Sequence, residues 1–121
     1  MKTLIKNGTV VTVERSFQAD ILIEGEQISQ IAPALDCADA EVVDAAGLLI
    51  LPGGIDAHVH INLPMGATVS SDDYYTGSKA AAFGGTTTMI DFVSQDSGSL
   101  AENVARKRAK AEDKAAIDYS L

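Results

Sequence analysis

Hydrophobic and polar positions alternate over short stretches in the first fifty residues, which is typical of β-strands. The segment "TLIKNGTVVT" has two β-rich arms around Asn7-Gly8, and Asn-Gly favours the positive φ angles of a type I′ turn. The segment "ADILIEGEQISQIAP" repeats this design around residues 24–27. The pattern therefore predicts two hairpins. With two more short strands at residues 41–44 and 48–51, it predicts a small antiparallel sheet or sandwich.

The pattern changes at residues 52–54, after which strands alternate with helices. The strand "IDAHVHI" is followed by a helix in "SSDDYYTGSKAAAFGG", which Ser70 or Ser71 can cap and Gly84 can terminate. The apolar, β-branched strand "TTTMIDFV" precedes a second helix, whose start fits a capping box of Ser99 and Glu102. The segment "AIDYSL" begins a third strand. This βαβαβ order predicts a parallel sheet with right-handed crossovers.

The last predicted strand runs to the end of the chain at Leu121. Three parallel strands and two helices do not close an α/β barrel, and such a sheet leaves strand edges bare. We therefore expect the chain to be the front portion of a longer protein. The alternative is a short protein that covers its open edge by self-association.

The hydrophobic content and net charge exclude some classes of protein. The chain has 121 residues, is 46% hydrophobic, and carries a formal charge of −8 from 17 acidic and 9 basic side chains. This composition indicates a globular protein and disfavours nucleic-acid binding, which needs a basic surface. No stretch resembles a signal peptide or the ~20 apolar residues of a membrane span, so the prediction is a cytoplasmic protein without a membrane partner.

Cys37 is the single cysteine, which excludes an internal disulfide. Its neighbours Asp36 and Asp39 are acidic, and a negative environment raises the pKa of a thiol. We therefore expect Cys37 to be inert.

The chain's two histidines, His58 and His60, stand one residue apart in "PGGIDAHVHINLP". Residues i and i+2 of a strand share a face, so the two imidazoles are expected to converge while Val59 faces the other way. Converging imidazoles can hold one metal ion, although a structural histidine pair is the alternative for an isolated His-X-His. Asp56, on the same face, either orients a ligand imidazole or accepts a hydrogen bond at the strand end.

Longer stretches of the sequence resemble a known family. The segments "LIKNGTVV", "ADILIEGEQISQIA", "PGGIDAHVHINLPMGATVSSDDYYTGSKAAAFGGTTTMIDF" and "DYSL" together resemble dihydropyrimidinase and D-hydantoinase, which are cyclic-amide hydrolases of the amidohydrolase superfamily. The resemblance covers essentially the whole chain and is most specific between residues 52 and 92.

The resemblance implies a fold and a metal centre. Residues 1–51 would be the N-terminal part of a small β-sandwich, and residues 52–121 would be the first strands and helices of an incomplete TIM-like (β/α) barrel. His58 and His60 would bind one ion of a centre with two zinc ions per subunit. The bridging carbamylated lysine, the other histidines and the catalytic aspartate would lie beyond Leu121. Lys107 and the other lysines of the predicted helices are poor candidates for the bridge.

The implied activity is metal-dependent hydrolysis of a dihydropyrimidine or hydantoin ring to an N-carbamoyl amino acid, as in pyrimidine catabolism. The complete protein would be a homotetramer with a small cyclic amide as substrate, whereas this chain alone would be inactive. In the loop "INLPMG", Leu63 and Met65 match apolar positions that face the substrate's exocyclic group; otherwise they pack against a neighbouring helix.

Three alternatives stay open. Allantoinase and dihydroorotase share the histidine pair, but the dihydroorotase pattern has arginine where this chain has Asn62, which favours a neutral ring. Non-catalytic dihydropyrimidinase-related assembly proteins keep the fold and lose metal ligands. If the 121 residues are the whole product, a β-rich binding or assembly module without catalysis is the third alternative.

Overall fold

The computed structural model describes all residues from Met1 to Leu121. The chain divides into two compact units, Met1–Pro52 and Gly53–Leu121. Each unit has its own sheet and its own buried cluster.

The first unit is a five-stranded sheet in which β1 is the central strand. Its strands are β1 (Lys2–Val11), β2 (Ser16–Glu24), β3 (Gln27–Ala32), β4 (Glu41–Asp44) and β5 (Leu49–Ile50). The strands are ordered β3-β2-β1-β4, and β5 also pairs with β1. Val10, Ala19 and Ile21 form the buried centre of this unit.

The predicted hairpin at Asn7-Gly8 is wrong, because β1 runs through both residues as one strand. Asn7 does have a positive φ of 64°, but it lies in an irregularity where the register with β2 shifts between Ile5 and Gly8. The backbone N–H of Asn7 donates to Asp20 at 2.9 Å, and its side-chain amide donates to Asp44 at 2.9 Å. These contacts keep the left-handed residue inside the strand, as in a β-bulge.

The second predicted hairpin is confirmed, since β2 and β3 pair antiparallel and Gly25 between them has a φ of 64°. The predicted antiparallel pairing is confirmed for β1 with β2 and for β2 with β3, but it is wrong for the last two strands of this unit. β4 and β5 both pair parallel to β1. Parallel pairing requires a crossover connection, and residues 33–40 provide it between β3 and β4.

The second unit has the predicted βαβαβ order. Its elements are β6 (Gly54–Val59), β7 (Pro64–Met65), β8 (Thr68–Val69), α1 (Tyr74–Phe83), β9 (Thr86–Asp91), α2 (Leu100–Ala111) and β10 (Asp118–Ser120). β6, β9 and β10 form a parallel sheet in the order β10-β9-β6, which confirms the parallel prediction. β7 and β8 form a separate small hairpin.

The caps of the two helices differ in how well the sequence predicted them. α1 is capped by Asp73, which shares a reciprocal capping box with Thr76, so the prediction of Ser70 or Ser71 is wrong. A carboxylate at this position also interacts favourably with the partial positive charge at the helix N-terminus. The end of α1 at Gly84 and the capping box of Ser99 and Glu102 on α2 are confirmed.

The buried core of the second unit lies between its sheet and its helices. Ile61, Tyr74, Met89 and Ala111 are its buried members, and Val59 packs against them. Neither helix has the length and apolar character that crossing a membrane requires.

Candidate functional site

His58 and His60 lie at the carboxyl end of β6. β6 ends at Val59, so His60 is the first residue after the strand. Both histidines are exposed, whereas Val59 and Ile61 pack toward the buried cluster on the other face. The predicted convergence of the imidazoles is confirmed, because their Nε2 atoms lie 3.2 Å apart.

The donor atoms suit a shared metal ion. Zinc lies about 2.0–2.1 Å from imidazole nitrogen in tetrahedral sites, which places two such nitrogens roughly 3.3 Å apart. The observed 3.2 Å between the Nε2 atoms is close to this value. The residues of this chain contain no group of three or more histidine, cysteine, aspartate or glutamate side chains placed to hold an ion. The spacing fits two ligands of an incomplete metal centre, and it also fits a hydrogen bond between the two imidazoles.

Phe92 flanks the histidine pair, and sequence reasoning missed it. Its ring centroid lies 4.3 Å from that of His58 and 5.4 Å from that of His60. Phe92 follows directly after β9, and its N–H donates to the carbonyl oxygen of Val59. The position of Phe92 could have been inferred from strand alternation. Met89 and Asp91 point to the buried face, so the next residue, Phe92, points to the opposite face, which carries the histidines.

Asp56 contacts the backbone of His58 and not its ring. One carboxylate oxygen of Asp56 accepts a hydrogen bond from the His58 N–H at 3.1 Å. Of the two alternatives from the sequence, this is the hydrogen bond at the strand end. It fixes the peptide that carries the first imidazole.

The structure places Leu63 and Met65 beyond the histidines, around the β7–β8 hairpin. The side chain of Met65 is exposed, at 52% of its full accessibility. Leu63 is partly buried, and its N–H donates to the Ser70 hydroxyl at 2.9 Å. Asn62 has a positive φ of 50° and redirects the chain between His60 and this hairpin.

A buried cluster of Tyr74, Asp91 and Lys107 lies on the core side of the same strand ends, and the sequence did not reveal it. The Asp91 side chain is inaccessible to solvent and accepts from the Tyr74 hydroxyl at 2.6 Å and from Lys107 Nζ at 3.0 Å. Burial, and then the hydrogen bond to Asp91, raise the pKa of Tyr74 well above its ordinary value. The hydroxyl therefore stays protonated and donates.

The remaining chemical candidate, Cys37, behaves as the sequence predicted. Its thiol lies 3.1 Å from a carboxylate oxygen of Asp39. This hydrogen bond, followed by burial and the negative charge of Asp39, raises the pKa of Cys37. A thiol with a raised pKa is a poor nucleophile at neutral pH.

Comparison with known proteins gives consistent matches. The sequence profile of the amidohydrolase family matches residues 49–119. A D-hydantoinase from Geobacillus stearothermophilus is 48% identical over all of this chain, and a dihydropyrimidinase from Dictyostelium discoideum is 47% identical over 98% of it. The chain covers 26% and 24% of these relatives, or about a quarter of their length.

Solved structures agree with the sequence matches. The crystal structure of dihydropyrimidinase from Brevibacillus agri superposes with a TM-score of 0.94 and 52% sequence identity. The superposition covers 98% of this chain and 26% of that one. The chain therefore has the mixed α/β amidohydrolase fold seen in dihydropyrimidinase structures, with both of its helices in the second unit.

Proposed function

The chain belongs to the amidohydrolase family, and we therefore propose that it contributes the first metal-ligand pair of a cyclic amidase. The complete protein hydrolyses a dihydropyrimidine or hydantoin ring to an N-carbamoyl amino acid. The observation that carries this proposal is the pair of imidazoles whose Nε2 atoms lie 3.2 Å apart at the carboxyl end of β6. In α/β barrels, catalytic groups stand at this end of the strands.

The proposed fold of the complete protein follows the same relatives. Residues 1–51 form the N-terminal part of a small β-sandwich, and residues 52–121 form the first strands and helices of a (β/α) barrel. The parallel β10-β9-β6 order supports the barrel. Since the relatives are about four times as long as this chain, the other ligands are proposed to lie in sequence that the chain does not contain.

His58 and His60 are proposed to bind a divalent cation, with two zinc ions in the complete centre. Such ions, when bound, supply Lewis-acid polarisation of an amide carbonyl and activation of water. His58 and His60 would serve as metal ligands through Nε2 and not as the general base. Asp56 holds the peptide of His58 in place, and the ring of Phe92 packs beside the His58 imidazole.

The side chains after the histidines are proposed to select the substrate. Leu63 and Met65 offer apolar contacts to the exocyclic group of the ring, and a flexible methionine tolerates varied substituents. Asn62 provides no guanidinium for a carboxylate, which favours a neutral ring over an acidic one. The complete protein is proposed to be cytoplasmic and homotetrameric. Light scattering, which measures molar mass in solution, would test the tetramer.

The test is the metal content and ring-opening activity of the full-length protein. We expect purified wild type to retain a divalent metal, and His58→Ala and His60→Ala to lose it together with hydrolysis of dihydrouracil. Lys79→Ala, an exposed substitution on α1, is the control. Full activity in both histidine variants, or a wild type that binds no metal, would overturn the proposal.

A further inference from the structure

Ile61 follows the histidine pair and is part of the buried core, and both polar groups of its backbone bind to charged side chains, one buried and one partly buried. Its N–H donates to Asp91 Oδ1 at 3.4 Å. Its carbonyl oxygen accepts from Lys107 Nζ at 2.6 Å. Lys107 Nζ also pairs with Asp91 Oδ2 at 3.0 Å, which closes a ring of three contacts around this residue.

The charged partners come from elements distant in sequence, and they are well shielded. Asp91 ends β9 and Lys107 lies within α2. The side chain of Asp91 has no exposed area, and that of Lys107 is 12% exposed. Tyr74, on the first turn of α1, donates to the same carboxylate and is itself completely buried. β9 and α2 therefore bond directly to the backbone of Ile61, and α1 supports them through the hydrogen bond from Tyr74 to Asp91.

Burying charged groups carries a desolvation free energy that burying apolar residues of similar size does not. The cluster leaves no buried side-chain polar atom without a partner. Asp91 restrains the His60–Ile61 peptide through the Ile61 N–H, and Lys107 restrains the next peptide through the Ile61 carbonyl oxygen. To share a metal ion, the two Nε2 atoms must stay roughly 3.3 Å apart. A small displacement of the backbone at Ile61 would change that distance.

We infer that Tyr74, Asp91 and Lys107 are positioning residues, which hold the two peptides that flank Ile61 so that the two imidazoles are preorganised for a metal ion. This inference rests on the proposed metal-binding role of His58 and His60. It assigns no contact between the cluster and the metal. The cluster acts through Ile61. Phe92, the residue after Asp91, packs its ring beside the His58 imidazole.

The experiment is a cobalt titration of the full-length protein after metal removal, followed by the visible absorption of bound Co²⁺. We expect Tyr74→Phe, Asp91→Asn and Lys107→Met to weaken cobalt binding by about 10-fold, the size seen when groups supporting metal ligands are lost. We also expect altered cobalt bands. Tyr75→Phe and Lys110→Met are the matched controls, because both residues are exposed on the same two helices, and they should bind cobalt as wild type does.

A double variant separates positioning from simple loss of folding. Removing one partner of a buried pair leaves the other charge uncompensated, whereas Asp91→Asn with Lys107→Met removes both charges. We expect the double variant to recover wild-type thermal stability in part, while its cobalt affinity stays low because the Ile61 carbonyl has lost its donor. Recovery of cobalt affinity together with stability would overturn the inference.

The remaining outcomes distinguish the two proposals. If His58→Ala abolishes cobalt binding but the three cluster variants bind cobalt normally, the positioning role is wrong and the proposed function stands. If wild type itself binds no cobalt, the proposed function is wrong and the positioning role is overturned with it.

Discussion

Asp20 is a buried carboxylate whose stability contribution depends on pH. Its two oxygens accept from the backbone N–H groups of Asn7 and Leu35 at 2.9 and 3.0 Å. These hydrogen bonds, chiefly that from Asn7, lower the pKa of Asp20. A carboxylate with a lowered pKa stabilises the fold above its unfolded pKa of about 4, and this stabilisation disappears as the pH falls through the folded pKa.

We therefore expect the unfolding free energy to fall more steeply below about pH 4 in wild type than in Asp20→Asn, since an amide does not titrate. Denaturant unfolding of the full-length protein at several pH values measures this. Equal slopes for Asp20→Asn and wild type would contradict the prediction.

Gly53 directly precedes β6 and Gly54 is its first residue, but only Gly53 lacks room for a side chain. A Cβ at Gly53 would overlap the Thr87 side chain, with Thr87 Cβ only 2.7 Å away. At Gly54 the nearest atom would be Thr86 Oγ1, at an ordinary contact distance of 3.4 Å. The two positions therefore form a matched pair.

We expect Gly53→Ala to destabilise the protein by about 1–3 kcal/mol through overpacking against β9. Gly54→Ala should change stability by less than about 0.5 kcal/mol. Thermal or denaturant unfolding gives both values. Similar losses of unfolding free energy in the two variants would contradict the prediction, because the contact with Thr87 exists only at Gly53.

At the scale of elements, the capping box that opens α2 provides a direct test. The Ser99 hydroxyl accepts from the Glu102 N–H, and the Glu102 carboxylate accepts from the Ser99 N–H at 2.7 Å. Losing a serine N-cap costs about 1 kcal/mol. We expect this loss in Ser99→Ala by denaturant unfolding. Ser97→Ala should be neutral, because Ser97 contributes its backbone carbonyl to the helix start, and an equal loss there would contradict the prediction.

The sequence predicted those elements whose signals are local. Alternation placed His58 and His60 on one face, and the capping box located the start of α2. At Asn7 the same local signal was misleading, because a positive φ serves a bulge as well as a turn. The choice depends on Asp20 and Asp44, which hydrogen-bond Asn7 from other strands.

The cluster around Asp91 could not be predicted in the same way. Tyr74, Asp91 and Lys107 belong to three different elements, and each side chain has an ordinary interpretation by itself. Their pairing arises only when α1 and α2 pack on β9. The parallel pairing of β4 and β5 with β1 was missed for the same reason, since strand direction depends on the path of the connecting chain.

For the whole molecule, the incomplete ligand set leads to a prediction about activity. A catalytic zinc takes about three protein ligands and one open position, and this chain offers two imidazoles with no group of three or more. We expect the isolated 121 residues to leave dihydrouracil and hydantoin unhydrolysed. A ring-opening assay with the full-length protein as positive control tests this. Turnover by the isolated chain that His58→Ala abolishes would contradict the prediction.

The central position of β1 has a consequence for synthesis on the ribosome. Its partner β2 follows within a few residues, but β4 and β5 on its other side begin only at residue 41. At about 5–20 residues per second, the 18 residues from Pro33 to Ile50 take roughly 1–4 s to translate. During that interval the nascent β1–β3 meander exposes an unpaired edge, which can template pairing with a neighbouring chain. The rate of translation through this segment, or a chaperone that covers the edge, should therefore affect the yield of soluble protein.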